Sequence, residues 1–167
     1  RLLGSVLYQA VLARALAAVK GDPNPDQASP SLNVGATGHL PADYIPDETV
    51  RINLYARLAR ATTAEDVDAL RDEAEDRFGS LPDPAEDLFT GRRLAALARD
   101  AGVTEIVSGP KATALRIAAA RRPGMEASLP LRDDRRWSED RMIVDAANDQ
   151  PHDTAFIEKL LTELAAA

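Results

Sequence analysis

TTAEDVDALRDEAEDRFGSLPDP, residues 62–84, is the stretch that decides the fold. Its apolar side chains recur every three or four positions, which predicts an amphipathic helix. Thr62-Thr63-Ala64-Glu65 has the pattern of a capping box that would begin this helix, and Gly79 can take the left-handed conformation that would end it. The inner face of the helix would consist of four side chains, Val67, Leu70, Ala74 and Phe78. We therefore expect Phe78 to be buried.

The residues just after this stretch predict a second helix. Leu81-Pro82-Asp83-Pro84 is typical of a rigid turn, with Asp83 as the N-cap and Pro84 at the first helical position. The helix would continue to Ala101 and end at Gly102. Its face for close packing would consist of small or medium side chains, namely Leu88, Gly91, Ala95 and Ala98.

Two helices and a strand are predicted before residue 62. Residues 2–20 repeat apolar side chains at helical spacing, with Gly21 as a stop. Residues 32–36 alternate between apolar and other side chains, which indicates a short strand. Asp47 can cap a helix whose apolar stripe is Val50, Leu54, Leu58 and Ala61.

Beyond Gly102 the pattern changes to that of strands. Val103–Val107 and Ala114–Ala118 predict a hairpin around Gly109-Pro110, and Arg141–Val144 predicts a third strand. Residues 121–140 are expected to be irregular and basic. A last helix carries Ile157, Leu160, Leu161 and Leu164.

The order of these elements predicts an α+β fold in one domain. The sequence runs through a helix, a strand, three helices, a strand hairpin, a third strand and a C-terminal helix, and such segregation is typical of α+β proteins. We expect residues 1–167 to form a single domain, with a linker helix over residues 1–21 and a globular body over residues 31–167. The chain opens at Arg1 within an amphipathic pattern and without an initiator methionine, which favours a piece of a longer protein.

Composition and charge narrow the function. The chain has no cysteine, so disulfides and thiolate metal sites are excluded. No apolar stretch is long enough to suggest a membrane span. The net charge of −7 argues against broad nucleic-acid binding. The charge is uneven, because residues 65–76 hold seven acids and the single base Arg71, whereas residues 110–141 hold eight bases and five acids. Two regions of opposite sign favour protein contacts.

Catalytic chemistry has few candidate residues. His39 and His152 lie far apart and belong to no ligand-spaced cluster, so we interpret both as loop or surface residues. The sequence has no glycine-rich phosphate loop. We expect no catalytic residue, no cofactor and no metal in this chain.

Acidic side chains are the strongest candidates for an interaction site. Glu65, Asp72 and Asp76 fall on one face of the predicted helix over residues 64–78, and helical spacing points Glu73 away from its inner stripe as well. A metal site needs ligands converging from several elements, which one convex helix face does not supply. Two other interpretations stay open, a solvated acidic face and a docking face for a basic partner.

Basic side chains between residues 116 and 136 suggest a second kind of site. A cluster of arginines beside Trp137 is a weak signature of phosphate binding, and Asp133, Asp134, Glu139 and Asp140 dilute it. The candidate phosphate contacts are Arg121, Arg122, Arg135 and Arg136. This gives an alternative function as an auxiliary DNA-binding module that uses the Arg116–Arg136 region.

Three segments resemble one family. They are Gly4-Ser5-Val6-Leu7-Tyr8-Gln9, then Asp43-Tyr44-Ile45-Pro46-Asp47 followed by Arg51, Leu54 and Tyr55, and then Glu73-Ala74-Glu75-Asp76-Arg77-Phe78-Gly79-Ser80-Leu81-Pro82. Together, at this spacing, they are similar to the C-terminal domain of bacterial transcription-repair coupling factors, the Mfd family. The resemblance covers residues 3–118, and the 118–136 region is shorter than its family counterpart.

The resemblance implies a regulatory role. The parent would be a cytoplasmic, ATP-driven DNA translocase that removes stalled RNA polymerase and recruits nucleotide-excision repair through UvrA. ATP and magnesium would belong to its motor. Residues 1–21 would form the linker helix that follows the motor in the chain. The C-terminal domain would be non-catalytic and would dock onto the N-terminal UvrA-binding module of the same protein. Glu73 and Asp76, with Asp72 beside them, would supply that protein-docking surface.

A third hypothesis for the function, beside the regulatory domain and the DNA-binding module, is a small enzyme of no known class.

Overall fold

Five helices and five strands make up the described part of the computed structural model, which covers residues 30–34, 37–129, 132–147 and 150–167. The helices are α1 (Glu48–Arg60), α2 (Ala64–Phe78), α3 (Asp83–Ala101), α4 (Arg122–Ser128) and α5 (Thr154–Ala166). The strands are β1 (Ser31–Asn33), β2 (Val103–Ser108), β3 (Ala112–Ile117), β4 (Arg135–Ser138) and β5 (Arg141–Asp145).

The strands form one mixed sheet in the order β1-β2-β3-β5-β4. The β1–β2 pair is parallel and the other pairs are antiparallel. One row of registered side chains crosses all five strands, and it consists of Leu32, Ile106, Leu115, Met142 and Trp137. The three central members are buried, so this row is the inner face of the sheet.

Two hydrophobic clusters lie along α3. The sheet core combines the inner face of the sheet with α5 and with Leu94, Ala98 and Ala101 of α3. The helical core combines α1, α2 and the segment after residue 37 with Ala85 and Phe89 of α3. The first half of α3 therefore packs in one core and its second half packs in the other.

A close backbone contact attaches the segment before α1 to the start of α3. A Cβ atom on Gly38 would lie 2.0 Å from the Leu88 amide nitrogen and 2.4 Å from the Pro84 carbonyl oxygen. The backbone N–H of His39 donates to the same Pro84 carbonyl at 3.0 Å. Only glycine allows this approach, because any side chain would overlap the helix backbone.

The predicted α+β class is confirmed, and most predicted elements are present. The hairpin consists of β2 and β3, and the third predicted strand is β5. All four apolar side chains predicted for the C-terminal helix are buried in α5. The predicted linker helix over residues 1–21 lies outside the described residues, and the prediction of a single domain stays a prediction.

The expectation that residues 121–140 are irregular is wrong. They contain α4 and β4. Pro123 and Gly124 hide the helical pattern of α4, whereas Met125 is buried and packs into the sheet core. β4 has no apolar alternation, because its two inward positions hold Arg135 and Trp137. A buried arginine in a strand is recognisable only once its acidic partner is known.

Several predicted boundaries shift by one residue or more. The capping box of α2 consists of Thr63 and Asp66, because Asp66 can accept from the Thr63 amide while its own amide donates to the Thr63 hydroxyl. The N-cap of α3 is Pro82, without a side-chain cap, and Asp83 is already helical. β1 ends at Asn33.

Two of the three glycines predicted to end helices adopt positive φ, and the third, Gly21, lies outside the described residues. Gly79 has a φ of 87° and Gly102 a φ of 74°. Only Gly102 has the full left-handed helical conformation, with a ψ of 26°. Of the predicted packing face of α3, Ala98 is fully buried, while Leu88, Gly91 and Ala95 are half-buried.

Phe78 is half-buried at the edge of the helical core, so the expectation of full burial is wrong. It is the last residue of α2, and the Arg77 guanidinium lies 4.9 Å from the centroid of its ring. The central aromatic ring is Phe89, which is 1% exposed.

Substitution of Phe78 and of Phe89 should distinguish a residue at the edge of the helical core from one at its centre. Phe89→Ala should lower the free energy of unfolding by about 3–5 kcal/mol, the range for a fully buried aromatic residue. Phe78→Ala should cost about 1–2 kcal/mol, because part of its surface stays in water. Urea midpoints of the two variants measure the difference. Equal midpoints would contradict the placement of Phe89 at the centre.

Candidate interaction surface on the acidic helix

The outward side of α2 carries three exposed carboxylates, Glu65, Asp72 and Asp76, which we call the acidic face. They lie opposite the buried stripe of Val67 and Ala74, as the helical spacing predicts. No ion pair or hydrogen bond joins any of the three side chains to another residue in the described ranges. The acidic face is therefore open to a partner.

Glu73 lies beside the acidic face and is already paired. Its two carboxylate oxygens accept from the Arg57 guanidinium of α1 at 2.7 and 2.6 Å. Arg77 adds a third contact at 3.2 Å. These hydrogen bonds, led by that of Arg57, lower the pKa of Glu73 from 4.5 to about 2. Glu73 thus joins α2 to α1.

The other acids of residues 65–76 also act within the fold. Asp66 belongs to the capping box, and the backbone N–H groups of Thr62 and Thr63 lower its pKa. Asp68 accepts from Arg93 of α3 at 2.9 Å. Glu75 lies 3.7 Å from Arg71, which also pairs with Glu86 of α3. Four of the seven acids are therefore used inside the fold, and the other three form the acidic face.

Tyr44 brings two of the resembling segments together. Its hydroxyl lies 2.8 Å from the Gly79 carbonyl oxygen and 3.2 Å from that of Ala74, and it can donate to either. Its ring meets Phe78 edge-on at 6.0 Å between centroids. Burial raises the pKa of Tyr44, with smaller contributions from the charges of Glu75 and Glu86. The hydroxyl therefore acts as a hydrogen-bonding cap for the C-terminus of α2.

Two further residues of the resembling segments hold the chain before α1. Arg51 donates to the Ile45 carbonyl oxygen at 2.7 Å. The Tyr55 hydroxyl accepts from the Leu40 amide at 2.7 Å. These contacts are structural, because each joins a side chain of α1 to the backbone of the preceding segment.

The four candidate phosphate contacts differ in their surroundings. Arg135 is buried and forms two hydrogen bonds with Glu163 at 3.2 Å. Arg136 pairs with Asp145, and Arg122 pairs with Glu126 while lying 5.8 Å from the centroid of the Trp137 ring. Arg121 is exposed and has no ion pair among the described residues.

The two histidines, His39 and His152, have different surroundings and do not share a site. The Nδ1 atom of His152 lies 2.7 Å from the buried Thr113 hydroxyl, and its ring stacks on Phe156. This contact attaches the start of α5 to β3, whereas His39 is exposed. The described residues contain no group of three or more acids and histidines that could hold a metal ion.

No helix within the described residues is both long and apolar enough to cross a membrane.

The sequence pattern did not reveal the arginines that pair with the acids of α2. Arg57 lies 16 residues before Glu73, and Arg93 lies 25 residues after Asp68. Neither separation corresponds to a helical repeat within one element, so only tertiary packing brings the partners together. The outward direction of Asp72 and Asp76, by contrast, follows from periodicity alone.

The fold and this surface define a small α+β domain whose most acidic helix directs unpaired carboxylates outward. Residues 34–127 match the model of a protein family described as the TRCF domain. Because this match spans more than half of the chain, the chain belongs to the TRCF domain family.

Named relatives agree with this assignment. The chain is 39% identical over 82 residues to the transcription-repair-coupling factor of Mycobacterium tuberculosis, covering 49% of this chain and 7% of that protein. It is 33% identical over 116 residues to the factor of Bacillus subtilis, covering 69% of this chain and 10% of that protein. The matched part of this chain thus spans a tenth or less of these relatives.

A solved structure supports the fold. It is a crystal structure of the C-terminal domain of a transcription-repair coupling factor, with a TM-score of 0.64 and 17% identity. The likeness covers 83% of this chain and 92% of that one. At this identity the likeness shows a shared fold.

Glu73→Gln should make stability depend less on pH. The carboxylate has a folded pKa of about 2, below its ordinary value of 4.5, so its contribution is complete above pH 4.5 and is lost as pH falls towards 2. Above about pH 5 the variant should be less stable by about 1 kcal/mol, a value reduced for solvent screening of an exposed pair. Urea unfolding across this pH range measures the difference, which should vanish at the acidic end.

Asp76→Asn is the matched control. Asp76 lies on the same helix but has no ion pair among the described residues, so its substitution should change the free energy of unfolding by no more than about 0.5 kcal/mol. A profile for Glu73→Gln that runs parallel to wild type would contradict the assigned role of the Arg57 pair.

Proposed function

We propose that this chain is the C-terminal regulatory domain of a transcription-repair coupling factor and that it restrains its parent by intramolecular docking. The partner would be the N-terminal UvrA-binding module of the same protein. Membership of the TRCF domain family supports this proposal. So does the resemblance of Asp43–Asp47 and Glu73–Pro82 to the family segments.

The catalytic functions of the parent would lie outside this domain. The parent would be a cytoplasmic DNA translocase that uses ATP and magnesium in its motor and acts with RNA polymerase, UvrA and DNA. We infer that this chain does not turn over ATP. The absence of a glycine-rich phosphate loop from the sequence supports that inference.

The contrast among the acids of α2 is the observation that carries the proposal. Four of the seven have intramolecular roles, yet Asp72 and Asp76 are exposed and unpaired in the described ranges. Carboxylates displayed on a helix can form charge-assisted hydrogen bonds with arginine side chains of a partner. Exposed pairs contribute only about 0–1 kcal/mol each, which suits a contact that must be released.

Within this surface we assign different roles to Glu73 and its neighbours. Asp72 and Asp76 would contact the partner directly. Glu73 would mainly position α2 against α1, because Arg57 and Arg77 already occupy its oxygens. Its side chain is 35% exposed and lies at the edge of the same surface. Asp72 and Asp76 therefore provide the cleaner test of docking.

Charge reversal of two of the three unpaired acids, Asp72 and Asp76, tests the function. Asp72→Lys with Asp76→Lys should weaken docking onto the N-terminal module, supplied in trans, by about tenfold, since two attractions of about 0–1 kcal/mol become repulsions. Folding should change by no more than about 0.5 kcal/mol, as for most surface substitutions. Titration calorimetry at low and high salt measures the affinity. In the full-length protein the variant should raise ATPase activity and UvrA binding.

Asp133→Lys with Asp134→Lys is the matched control, because these exposed acids precede β4 and make the same change in net charge. This control should dock almost as tightly as wild type, and added salt should weaken the wild-type contact. If the α2 variant docks like the control, the acidic face is only a solvated surface and the proposal fails.

DNA binding through Arg116–Arg136 is the second candidate function, and the ion pairs disfavour it. Arg116 pairs with Glu105 and Asp140, and Arg122, Arg135 and Arg136 are paired as described above. In this region of the described chain, only Arg121 and Arg132 have no ion pair within 4 Å. A basic patch whose charges are already balanced gives little affinity for phosphates.

The salt dependence of duplex binding tests this candidate. Two open arginines allow a slope of log affinity against log salt no steeper than about −2, at about −0.9 for each phosphate contact. Fluorescence anisotropy with a labelled duplex measures this slope. A slope near −5, reduced in an Arg122→Gln, Arg136→Gln variant, would favour DNA binding and contradict our assignment.

A further inference from the structure

Two arginines of α3 lack the partners that similar arginines have. In the described ranges, the other buried and half-buried arginines each contact an acid or a carbonyl oxygen through the guanidinium. Arg92 and Arg99 are the two exceptions. Both are half-buried. The Nε of Arg99 is buried and has no hydrogen-bond partner in the described part of the chain.

The two side chains share one face of α3. They are seven residues apart, which places them two turns apart along the helix, about 10 Å at 1.5 Å per residue. Burial lowers the pKa of Arg92, and the charge of Arg99 lowers it further. Two like charges that are partly withdrawn from water, with no ion pair in the described part of the chain, are unfavourable, and a bound anion would relieve the cost.

A groove adjoins Arg92, one member of this pair. It has a volume of about 220 Å³ and is lined mainly by apolar residues and backbone, with Arg92 and Asp87 as its charged members. Its apolar lining comes from α3, from β1 and from the residue before β1, and it consists of Pro30, Leu32, Leu88 and Ala95. Such a groove can accept one apolar side chain next to a charged anchor.

We propose that the Arg92–Arg99 face of α3 binds an acidic peptide segment of a partner protein. Carboxylates of the peptide would pair with the two guanidiniums, and an apolar side chain would enter the groove beside Arg92. The planar guanidinium fork is well suited to carboxylates because it donates two parallel hydrogen bonds. This site is distinct from the acidic face of α2 in helix and in sign, so it does not depend on the proposed docking function.

A peptide fits this face better than nucleic acid does. The net charge of the chain is −7, and the exposed Asp87 and Asp100 lie on the same helix. These charges would repel a run of phosphates, whereas a peptide can place its carboxylates at the two arginines only. The apolar lining of the groove also suits a side chain and offers nothing to a sugar–phosphate backbone.

Anisotropy titrations of the full chain with a short fluorescein-labelled peptide of alternating glutamate and leucine test the proposal. Arg92→Gln with Arg99→Gln should weaken binding by about tenfold or more. Arg60→Gln with Arg121→Gln makes the same change in charge at two exposed arginines without ion pairs in the described ranges, and it should change affinity by less than about threefold. Arg92→Lys with Arg99→Lys keeps the charge but removes the fork, so it should bind with intermediate affinity.

Folding of the variants is checked by urea midpoints. Because neither guanidinium has a partner among the described residues, the glutamine variant should be at least as stable as wild type, and the peptide should raise the midpoint of wild type only. Equal loss of binding in both double glutamine variants, or no binding by wild type at low salt, would overturn the proposal. So would tighter binding of duplex DNA than of the peptide through the same two arginines, or self-association that depends on them in sedimentation experiments.

Discussion

Helix α3 has to pack in two separate cores, and this requirement shapes the rest of the fold. Its 19 residues extend about 28 Å at 1.5 Å per residue, long enough to lie against both clusters. Phe89 packs in the helical core and Leu94 in the sheet core. Five residues at 100° each turn these two side chains well away from each other, so the two cores contact different sides of one rigid helix. Small residues such as Ala85 and Ala98 let both sets of neighbours approach closely.

Ion pairs between helices reinforce this arrangement and also explain the surface. Arg93 of α3 pairs with Asp68 of α2 and with Glu158 of α5, so one guanidinium links both cores. Pairs of this exposure contribute little energy individually, but they favour one register of the helices. They also neutralise most charges at the helix contacts. The charged side chains without an ion pair in the described part of the chain are therefore the ones that indicate binding surfaces.

Periodicity predicted much of the fold, and tertiary context decided the rest. The stripes of α2 and α5, the β2–β3 hairpin and the stop at Gly102 are local patterns, so the sequence was sufficient for them. α4 and β4 were missed because their sequence signals are masked by Pro123 and Gly124 and by an inward-facing Arg135. In the candidate site, the outward direction of Asp72 and Asp76 was predictable from helical spacing. The pairing of Glu73 was not, because Arg57 belongs to another helix.

The unpaired carboxylates of α2 and the unpaired arginines of α3 lie on neighbouring helices, but they do not pair with each other in the described part of the chain. Asp72 and Asp76 point away from the core that α2 shares with α3, and the contact between the helices is occupied by the pairs Arg71–Glu86 and Asp68–Arg93. No ion pair joins Arg92 to Asp72 or Asp76 in the described part of the chain. A rigid scaffold thus keeps both surfaces available for other molecules. Because contacts between charged side chains weaken with added salt, partners bound to either surface could be exchanged without unfolding the domain.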